Sequence, residues 1–446
     1  MVNRHSSTVI VLLLWAATLA SARPNFVFIF ADDLGWGDLG CYGHPILKTP
    51  SLDKMAEDGL LVTNFYVANP VCSPSRTAVM TGQYPARHGI HQHFAGHEIN
   101  MARNMPDFLD PNVTLLTKLM QKNGYKTAHI GKWHLGSTKN PPISAYGIDV
   151  NPRIGGARDQ STEKMVDAAI GFIQANKDAP FYISLWTLVP HATLDTTDEQ
   201  MTPYAGRAPV GAAKVRGFSS PAQIYYGAVT DMDYHIGRLI RKIDEMGIAD
   251  NTLIVFSSDN GPEDIHASNA THSGVGSAGP LRGRKRSLYE GGVRVPFIVR
   301  WKGHTPAGRV DDQSIVGTVD LLPSFCSLAG IGMPDGYQSD GQDVSKVFLG
   351  QPMERDRPLL WDWTGVQMGN GGHVSNMSPG LALRSGKWKF LMNPDGTRKE
   401  LYDFKADPQC MEVDNVADRY PDEVQRFSKI LREFKASIPL GTPRDI

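Results

Sequence analysis

The sequence predicts an α/β fold: a large, mostly parallel mixed sheet sandwiched by helices, with a smaller C-terminal α+β subdomain built on an antiparallel sheet. The first part is predicted because strand-like and helix-like segments alternate along the chain. The run 25–31 is also continuously apolar after its first residue, as in a strand buried on both faces. The second part is predicted because short strand-like segments follow one another after about residue 350. We therefore expect a main domain at 23–350 and the subdomain at 351–446.

The predicted elements follow in this order. After the strand 25–31, a helix capped by Ser73 ends at Gly82. Further helices are predicted at 114–124 (capped by Thr114), 162–173 and 225–246, and they are followed by the strands 126–130, 181–188 and 252–257. The subdomain has predicted strands at 359–363, 381–384, 388–392 and 401–404, and a final amphipathic helix that carries Val424, Phe427, Leu431 and Phe434.

Length, charge and cysteine content restrict the class of protein. The chain has 446 residues, enough for a large core, and a formal net charge of −1, so no overall positive field recruits nucleic acid or an anionic membrane. An anionic substrate must therefore be bound by local cations. The 4 cysteines are too few for a disulfide framework, but one disulfide among Cys41, Cys326 and Cys410 remains open.

The N-terminus has the pattern of a secretion signal. Arg4 gives a positive start, 9–19 is an apolar run, and Ala20-Ser21-Ala22 fits the small-x-small cleavage rule. The apolar run is short for a membrane span. We expect residues 1–22 to be removed after Ala22, which predicts a periplasmic or secreted protein without a stable membrane anchor. The alternative is an uncleaved anchor.

The stretch Cys72-Ser73-Pro74-Ser75-Arg76 is the most informative one in the chain. Ser73 is a good helix cap and Pro74 suits a first turn, so the side chain of Cys72 should face unpaired N–H groups at the positive end of a helix dipole. Such a position favours negatively charged oxygen. The alternatives are a buried structural cysteine and an ordinary thiolate nucleophile.

Acidic and amide residues follow two of the predicted strands. Asp32 and Asp33 come directly after the first strand, and Asp259 and Asn260 follow the strand 252–257. Because ligand sites of open α/β sheets form beyond the carboxyl ends of strands, the two pairs can converge. Carboxylate and amide oxygens suit Ca²⁺ or Mg²⁺ rather than zinc.

Basic residues follow the other strands. Lys132 and His134 lie two residues apart after the strand 126–130, and both can point into one site from an extended backbone. His191 follows a later strand. The block 282–286, Arg-Gly-Arg-Lys-Arg, has the composition of a nucleic-acid patch. Its brevity, its glycine-rich setting and the export signal argue against nucleic acid as a partner.

These motifs together resemble those of type I sulfatases, which belong to the alkaline phosphatase superfamily. The matching blocks are Cys-x-Pro-Ser-Arg with Thr-Gly in 72–82, Gly-Lys-Trp-His-Leu-Gly in 131–136, Pro-His at 190–191 and the block 281–296. The resemblance implies an alkaline phosphatase-like fold and sulfate ester hydrolysis. It also implies that Cys72 is oxidised after translation to formylglycine (3-oxoalanine) by a formylglycine-generating or sulfatase-maturing enzyme.

The same resemblance implies a metal site. Its divalent cation is usually Ca²⁺, with Mg²⁺ as the alternative. The matching ligands in this sequence are Asp32, Asp33, Asp259, Asn260 and the modified residue 72.

Catalytic roles are also implied by the resemblance. Lys132 and Lys285 would contact the sulfate, and Arg76 would hold the formylglycine hydrate. His134 would be the partner of the hydrate, whereas His191 would contact the sulfate and protonate the leaving oxygen.

The sequence most resembles bacterial sulfatases of the N-acetylgalactosamine-6-sulfatase and carrageenan-sulfatase type, which implies a sulfated oligo- or polysaccharide as substrate. Two other functions remain open. One is a phosphatase or phosphodiesterase of the same superfamily, and the other is a catalytically inactive polysaccharide-binding relative.

Contacts to the substrate are expected in two segments, 88–103 and 361–373. The first is rich in histidine (His91, His93 and His97), which form either a zinc cluster or a solvated loop. In the second, Trp361 and Trp363 either stack on sugar rings or are buried. We also consider that Arg284 and Arg286 reach additional anionic groups of the substrate.

Overall fold

The computed structural model of the protein describes residues 23–154, 161–206, 220–267, 270–364 and 372–439. The predicted signal sequence, 1–22, lies outside these residues, as does part of the predicted contact segment 361–373.

The helices of the described residues are α1 Pro50–Glu57, α2 Cys72–Thr81, α3 His97–Ala102, α4 Leu116–Lys122, α5 Ser161–Asn176, α6 Asp198–Met201, α7 Ser220–Glu245, α8 Glu290–Val293, α9 Leu321–Leu328, α10 Ser345–Phe348 and α11 Pro421–Ser437. The strands are β1 Asn25–Ala31, β2 Leu60–Val62, β3 Phe65–Tyr66, β4 Lys126–Gly131, β5 Phe181–Trp186, β6 Thr252–Ser258, β7 Arg294–Val295, β8 Phe297–Arg300, β9 Arg309–Asp311, β10 Val316–Gly317, β11 Leu359–Asp362, β12 Leu381–Ser385, β13 Trp388–Met392 and β14 Glu400–Asp403.

The main sheet has seven strands in the order β4-β5-β1-β6-β8-β2-β9. The strands β4, β5, β1 and β6 are parallel, whereas β8 is antiparallel to both of its neighbours. β1 is apolar from Phe26 to Ala31 because its side chains enter two cores: Phe28 and Phe30 lie on one face of the sheet, and Val27 and Ile29 on the other. The predicted α/β fold class is therefore confirmed.

Helices cover both faces of the main sheet. The apolar residues of α1, α5 and α7 pack on the face of Val27, and those of α2, α4 and α9 pack on the face of Phe28. The predicted N-cap Thr114 is wrong, because α4 begins at Leu116 after an extended Leu115 that forms no side-chain cap. Among the described residues, we find no helix with both the length and the apolar character needed to cross a membrane.

The C-terminal sheet is antiparallel in the order β11-β12-β13-β14, as predicted. One of its faces packs against α11, with Phe390, Phe427 and Leu431 in the interface. Its other face contributes Trp361 and Leu391 to the core that also contains Phe28 of the main sheet. The two sheets thus share a continuous hydrophobic core, and the domain boundary near residue 350 stays a prediction.

Candidate active site

Cys72 is the first residue of α2. The preceding Val71 is extended and is the N-cap without a side-chain hydrogen bond, and α2 ends at Gly82, where φ is 63°. The prediction that Ser73 caps this helix is wrong, because Ser73 lies within the first turn. Its hydroxyl oxygen instead accepts a hydrogen bond from the N–H of Phe94 at 3.1 Å. Cys72 therefore lies in the first turn itself, where backbone N–H groups have no partner within the helix.

The environment of Cys72 does not favour a thiolate. The residue is only 2% exposed. Burial raises the pKa of Cys72 to about 11, although the charges of Lys132 and Lys285 act in the opposite direction. At neutral pH the unmodified side chain is therefore a neutral thiol, so the alternative of an ordinary thiolate nucleophile fits this site poorly.

Two acidic residues converge with Cys72 at the carboxyl edge of the sheet. Asp32 and Asp33 follow β1, and the pair Asp259-Asn260 follows the neighbouring parallel strand β6. Ligand atoms of Asp32, Asp33 and Cys72 all lie within 4.8 Å of one another. In the described part of the chain, this is the one group of three or more His, Cys, Asp or Glu side chains with the spacing of a metal site.

Asn260 adds a neutral oxygen ligand to this group. Its Nδ2 donates to Asp33 Oδ1 at 2.7 Å, whereas its Oδ1 is buried without a hydrogen-bond partner. A buried amide oxygen without a partner costs free energy unless a ligand is bound there. Together with the carboxylates of Asp32 and Asp33, this oxygen makes a donor set that fits a hard cation such as Ca²⁺ or Mg²⁺.

Asp259 is oriented by Arg76. Its Oδ2 accepts hydrogen bonds from Arg76 Nη2 at 2.7 Å and Nε at 3.1 Å, and its Oδ1 accepts one from the N–H of Asp33 at 3.1 Å. Burial raises the pKa of Asp259 to about 6, and the charge of Arg76 acts against this rise. Arg76 also donates to the carbonyl oxygen of Lys132 at 3.1 Å. This fully buried arginine therefore fixes one predicted metal ligand and one predicted sulfate contact.

Two lysines face the carboxylates. Lys132 Nζ lies 2.7 Å from both oxygens of Asp32, and Lys285 Nζ lies 2.6 Å from both oxygens of Asp33. Burial acts to raise the pKa of Asp32, but the charges of Lys132, His191 and others outweigh it and hold that pKa far below its usual range. Both carboxylates are therefore ionised and both lysines are charged at neutral pH.

The loop after β4 is held close to β5. Gly131 has φ 108°, and a Cβ atom at this position would lie 2.0 Å from the carbonyl oxygen of Trp186. The N–H of Lys132 donates to the same oxygen at 2.8 Å. Only glycine allows this close approach, which turns the chain so that Lys132 and His134 follow the strand end.

His134 has one free acceptor at the site. Its Nε2 lies 3.2 Å from the carbonyl oxygen of Phe94, which can only accept, so Nε2 carries the proton. Its Nδ1 is buried without a hydrogen-bond partner. Burial, followed by the charges of Lys132 and Arg76, lowers the pKa of His134 well below its usual value. The ring is therefore neutral, with Nδ1 as a hydrogen-bond acceptor.

His191 faces the second carboxylate. Its Nδ1 donates to the carbonyl oxygen of Ala192 at 2.6 Å, and its Nε2 lies 3.8 Å from Asp33 Oδ2. Burial lowers the pKa of His191, while the charges of Asp32 and Asp33 act to raise it. The ring is 23% exposed, so it is the site histidine that borders both the carboxylates and solvent.

The two arginines beside Lys285 are occupied within the protein. Arg284 donates to the carbonyl oxygens of Glu263 at 2.9 Å and Gly274 at 3.1 Å, so the expectation that it reaches the substrate is wrong. Arg286 forms a bidentate ion pair with the side chain of Glu263, which is also 3.6 Å from Lys285. Glu263 is a site residue that the sequence motifs did not identify, and its place three residues after Asn260 is the available signal.

The structure decides between the alternatives for the two tryptophans, the loop histidines and the cysteines. Trp361 is 1% exposed and donates to the carbonyl oxygen of Val67 at 2.7 Å, which confirms the buried alternative for this residue. Trp363 is buried as well. The histidines of 88–103 belong to no group of three or more metal-ligand side chains among the described residues. All four cysteines are free, so the open disulfide is not formed.

Comparison with known proteins gives consistent results over nearly the whole chain. A family model described as Sulfatase matches residues 24–331, and one described as N-sulphoglucosamine sulphohydrolase, C-terminal, matches residues 283–437. The N-acetylgalactosamine-6-sulfatase of Mus musculus is 30% identical over 488 residues, which cover 95% of this chain and 88% of the relative. Arylsulfatase A of Homo sapiens is 30% identical over 469 residues, which cover 94% of this chain and 84% of the relative. The crystal structure of Ps i-CgsB in complex with k-i-k-neocarrahexaose is 25% identical, with a TM-score of 0.78 over 94% of both chains.

Proposed function

The chain belongs to the sulfatase family, and on this premise we propose that it removes sulfate from a sulfated carbohydrate through a formylglycine hydrate derived from Cys72 and a bound Ca²⁺. Family membership makes the chain a sulfuric ester hydrolase. One observation carries the rest of the proposal: Cys72 converges with Asp32 and Asp33 at a helix N-terminus, and Lys132 and Lys285 are directed at the same two carboxylates.

The proposed ligands of the cation are Asp32, Asp33, Asp259, Asn260 and residue 72, with Mg²⁺ as the alternative to Ca²⁺. The buried Asn260 Oδ1 without a partner supports this set. When bound, the cation would supply positive charge that stabilises negative charge developing on oxygen. Binding of a cation by the carboxylates would compete with the ammonium groups of the two facing lysines.

Lys132 and Lys285 would then bind the sulfuryl oxygens. Their charges are secured by the adjacent carboxylates, because the pKa of each lysine is raised by Asp32 or Asp33 against the effect of burial. Buried cations of fixed position stabilise charge on a reacting group without reorganisation of solvent.

The modification of residue 72 explains why a buried cysteine occupies this position. When residue 72 is formylglycine, its hydrate supplies two hydroxyls on one carbon, one to attack sulfur and one to expel the sulfate afterwards. An unmodified thiol lacks the second hydroxyl, and burial keeps Cys72 protonated.

Two histidines would divide the proton transfers. His134 would accept a proton through Nδ1, because Nε2–H is already committed to the carbonyl oxygen of Phe94. His191 would donate a proton from Nε2 to the leaving oxygen, because its Nδ1–H is committed to Ala192. The neutral state of His134 supports its role as acceptor. Burial lowers the pKa of His191, and the charges of Asp32 and Asp33 act against this effect and favour its protonated form.

The substrate class and the cellular setting are part of the proposal. The mouse relative is named for N-acetylgalactosamine, and the Ps i-CgsB complex contains a neocarrahexaose, so we propose a sulfated oligo- or polysaccharide as substrate. A formylglycine-generating or sulfatase-maturing enzyme would act on Cys72 during biosynthesis. The pattern of residues 1–22 supports export to the periplasm or the medium.

Matched sulfate and phosphate esters of the same oligosaccharides test this function. We expect release of inorganic sulfate, loss of this activity after treatment with a chelator, and recovery when Ca²⁺ is added. Phosphate esters should be hydrolysed more slowly, because the described residues form one metal-binding group and not two. Preference for the phosphate esters, or full activity after chelation, would contradict the proposal.

A further inference from the structure

Arg103 is a cation near the site that no carboxylate of the described residues pairs with. It directly follows α3 and is half-buried. Its Nη1 donates to the carbonyl oxygen of His93 at 3.0 Å. Burial lowers the pKa of Arg103, and no neighbouring carboxylate offsets this effect. A partly desolvated guanidinium without an anionic partner is unfavourable by itself, and an anionic ligand would relieve the cost.

Four other cations of the site differ from Arg103 in this respect. Each has a carboxylate partner: Arg76 with Asp259, Lys132 with Asp32, Lys285 with Asp33 and Arg286 with Glu263. Arg284 has no such partner in the described part of the chain, but its guanidinium donates to backbone carbonyl oxygens, including those of Glu263 and Gly274. The positive charge of Arg103 is therefore not neutralised by a carboxylate of the described residues.

The backbone that Arg103 contacts is part of the wall of the site. The carbonyl oxygen of Phe94 accepts from His134, and its N–H donates to Ser73 in the first turn of α2. The ring centre of His93 lies 6.3 Å from that of His134. The segment His93–Phe94 therefore contacts Arg103 at one residue and His134 at the next.

The electrostatic environment of His93 also places Arg103 near the site. The pKa of His93 is lowered to about 4, first by burial and then by the charges of Arg103, Lys285, Arg286 and Lys132. Arg103 therefore acts on the same imidazole as the two lysines proposed to hold the sulfate. His93 itself stays neutral and adds no charge.

We propose that Arg103 forms a second anion subsite, which binds a carboxylate or a second sulfate on the substrate beside the sulfate that is removed. This inference rests on the proposed function. A guanidinium offers parallel N–H donors that match two oxygens of either group, and Nη1 alone is committed to the protein. The enzyme would therefore prefer saccharides with two anionic groups.

Kinetics on paired saccharides test the subsite and separate the two anions. One pair is a sulfated disaccharide with a free uronate and its methyl ester, and the other pair is a disulfated disaccharide and its monosulfated form. We expect Arg103→Gln to reduce the preference for the more anionic member roughly tenfold, mainly through KM, which is the usual effect of one hydrogen bond to a charged group. Arg103→Lys should retain part of this preference.

A control and a binding measurement complete the test. Arg241→Gln, an exposed arginine of α7, should leave the preference unchanged. Calorimetric binding of the same pairs to Cys72→Ala, with and without Arg103→Gln, requires no turnover. An unchanged preference in Arg103→Gln, or equal loss for both members of each pair, overturns the subsite. Failure of the wild-type enzyme to release sulfate would overturn the proposed function, while the binding data still decide the subsite.

Discussion

At the scale of single residues, three residues of the site have a strained backbone. Asp33, His134 and Arg286 have φ of 70°, 50° and 70°, a region that residues other than glycine rarely adopt. Such conformations cost on the order of 1 kcal/mol each and persist where the surroundings determine them. Asp33 is held by Asp259, and the N–H of Arg286 donates to the carbonyl oxygen of Pro70 at 3.0 Å. The motifs identified Asp33 and His134 but carry no signal for these conformations.

The role of His191 predicts a dependence on the leaving group. His191→Gln should lower kcat about 10²- to 10⁴-fold on a sugar sulfate, because the departing alkoxide loses its proton donor. An aryl sulfate should be affected much less, because its leaving group is stable without a proton. The measurement is steady-state kinetics on both substrates, with the exposed His304→Gln as control. An equal loss on both substrates would contradict the role of His191 as an acid.

At the scale of elements, the sequence predicted the strands and helices whose positions follow from periodicity and burial. The prediction was wrong where several local structures fit the sequence equally well and tertiary contacts determine which one forms. The mostly apolar strand β1 and the antiparallel strand β13 were predicted with their observed bounds. The two caps, Ser73 and Thr114, were wrong. Ser73 fits a cap locally, but its hydroxyl is engaged by Phe94, which lies 21 residues away in sequence. Glu263 was missed for the same reason, because its partner Arg286 is 23 residues distant.

The turn before α1 shows how a buried histidine couples local structure to pH. His44 Nδ1 accepts hydrogen bonds from the N–H groups of Ile46 at 3.1 Å and Leu47 at 2.7 Å. Burial lowers the pKa of His44 to about 4. Since the unfolded chain binds the proton more readily, the contribution of His44 to stability is complete above about pH 6.5 and is lost as the pH falls towards 4.

His44→Asn should remove this pH dependence and keep the turn, because an asparagine oxygen can accept from the same two N–H groups. When the pH is lowered from about 7 to about 5, the free energy of unfolding of the wild type should decrease. We expect the decrease in the variant to be about 2 kcal/mol smaller. Urea unfolding followed by tryptophan fluorescence measures this difference. His44→Ala should be less stable at both pH values, and identical pH profiles of His44→Asn and wild type would refute the assignment.

At the scale of the whole molecule, the C-terminal sheet is joined to the catalytic core through buried charge. Lys389 of β13 lies 2.9 Å from Glu290 of α8, and both side chains are fully buried. The same carboxylate accepts a hydrogen bond from Tyr66 at 2.7 Å and lies 3.5 Å from Arg294. Because this network and the hydrophobic core are shared, we expect 23–350 and 351–446 to unfold together.

Lys389→Met tests this coupling. Removing one member of a buried ion pair leaves Glu290 less neutralised and should lower the free energy of unfolding by about 3 to 5 kcal/mol. The control Lys429→Met removes an exposed pair on α11 and should cost less than about 1 kcal/mol. Unfolding of the variants would be followed in the same way in urea. Two separate transitions, or equal costs for the two variants, would contradict a single cooperative unit.

The central claim concerns the chemical state of residue 72, and mass spectrometry of the peptide that contains it, from exported and active enzyme, tests that claim most directly. We expect the peptide to carry the aldehyde or its hydrate in place of the thiol, in proportion to the specific activity of each preparation. A preparation that is fully active on sulfate esters while this peptide retains an unmodified cysteine would contradict the account.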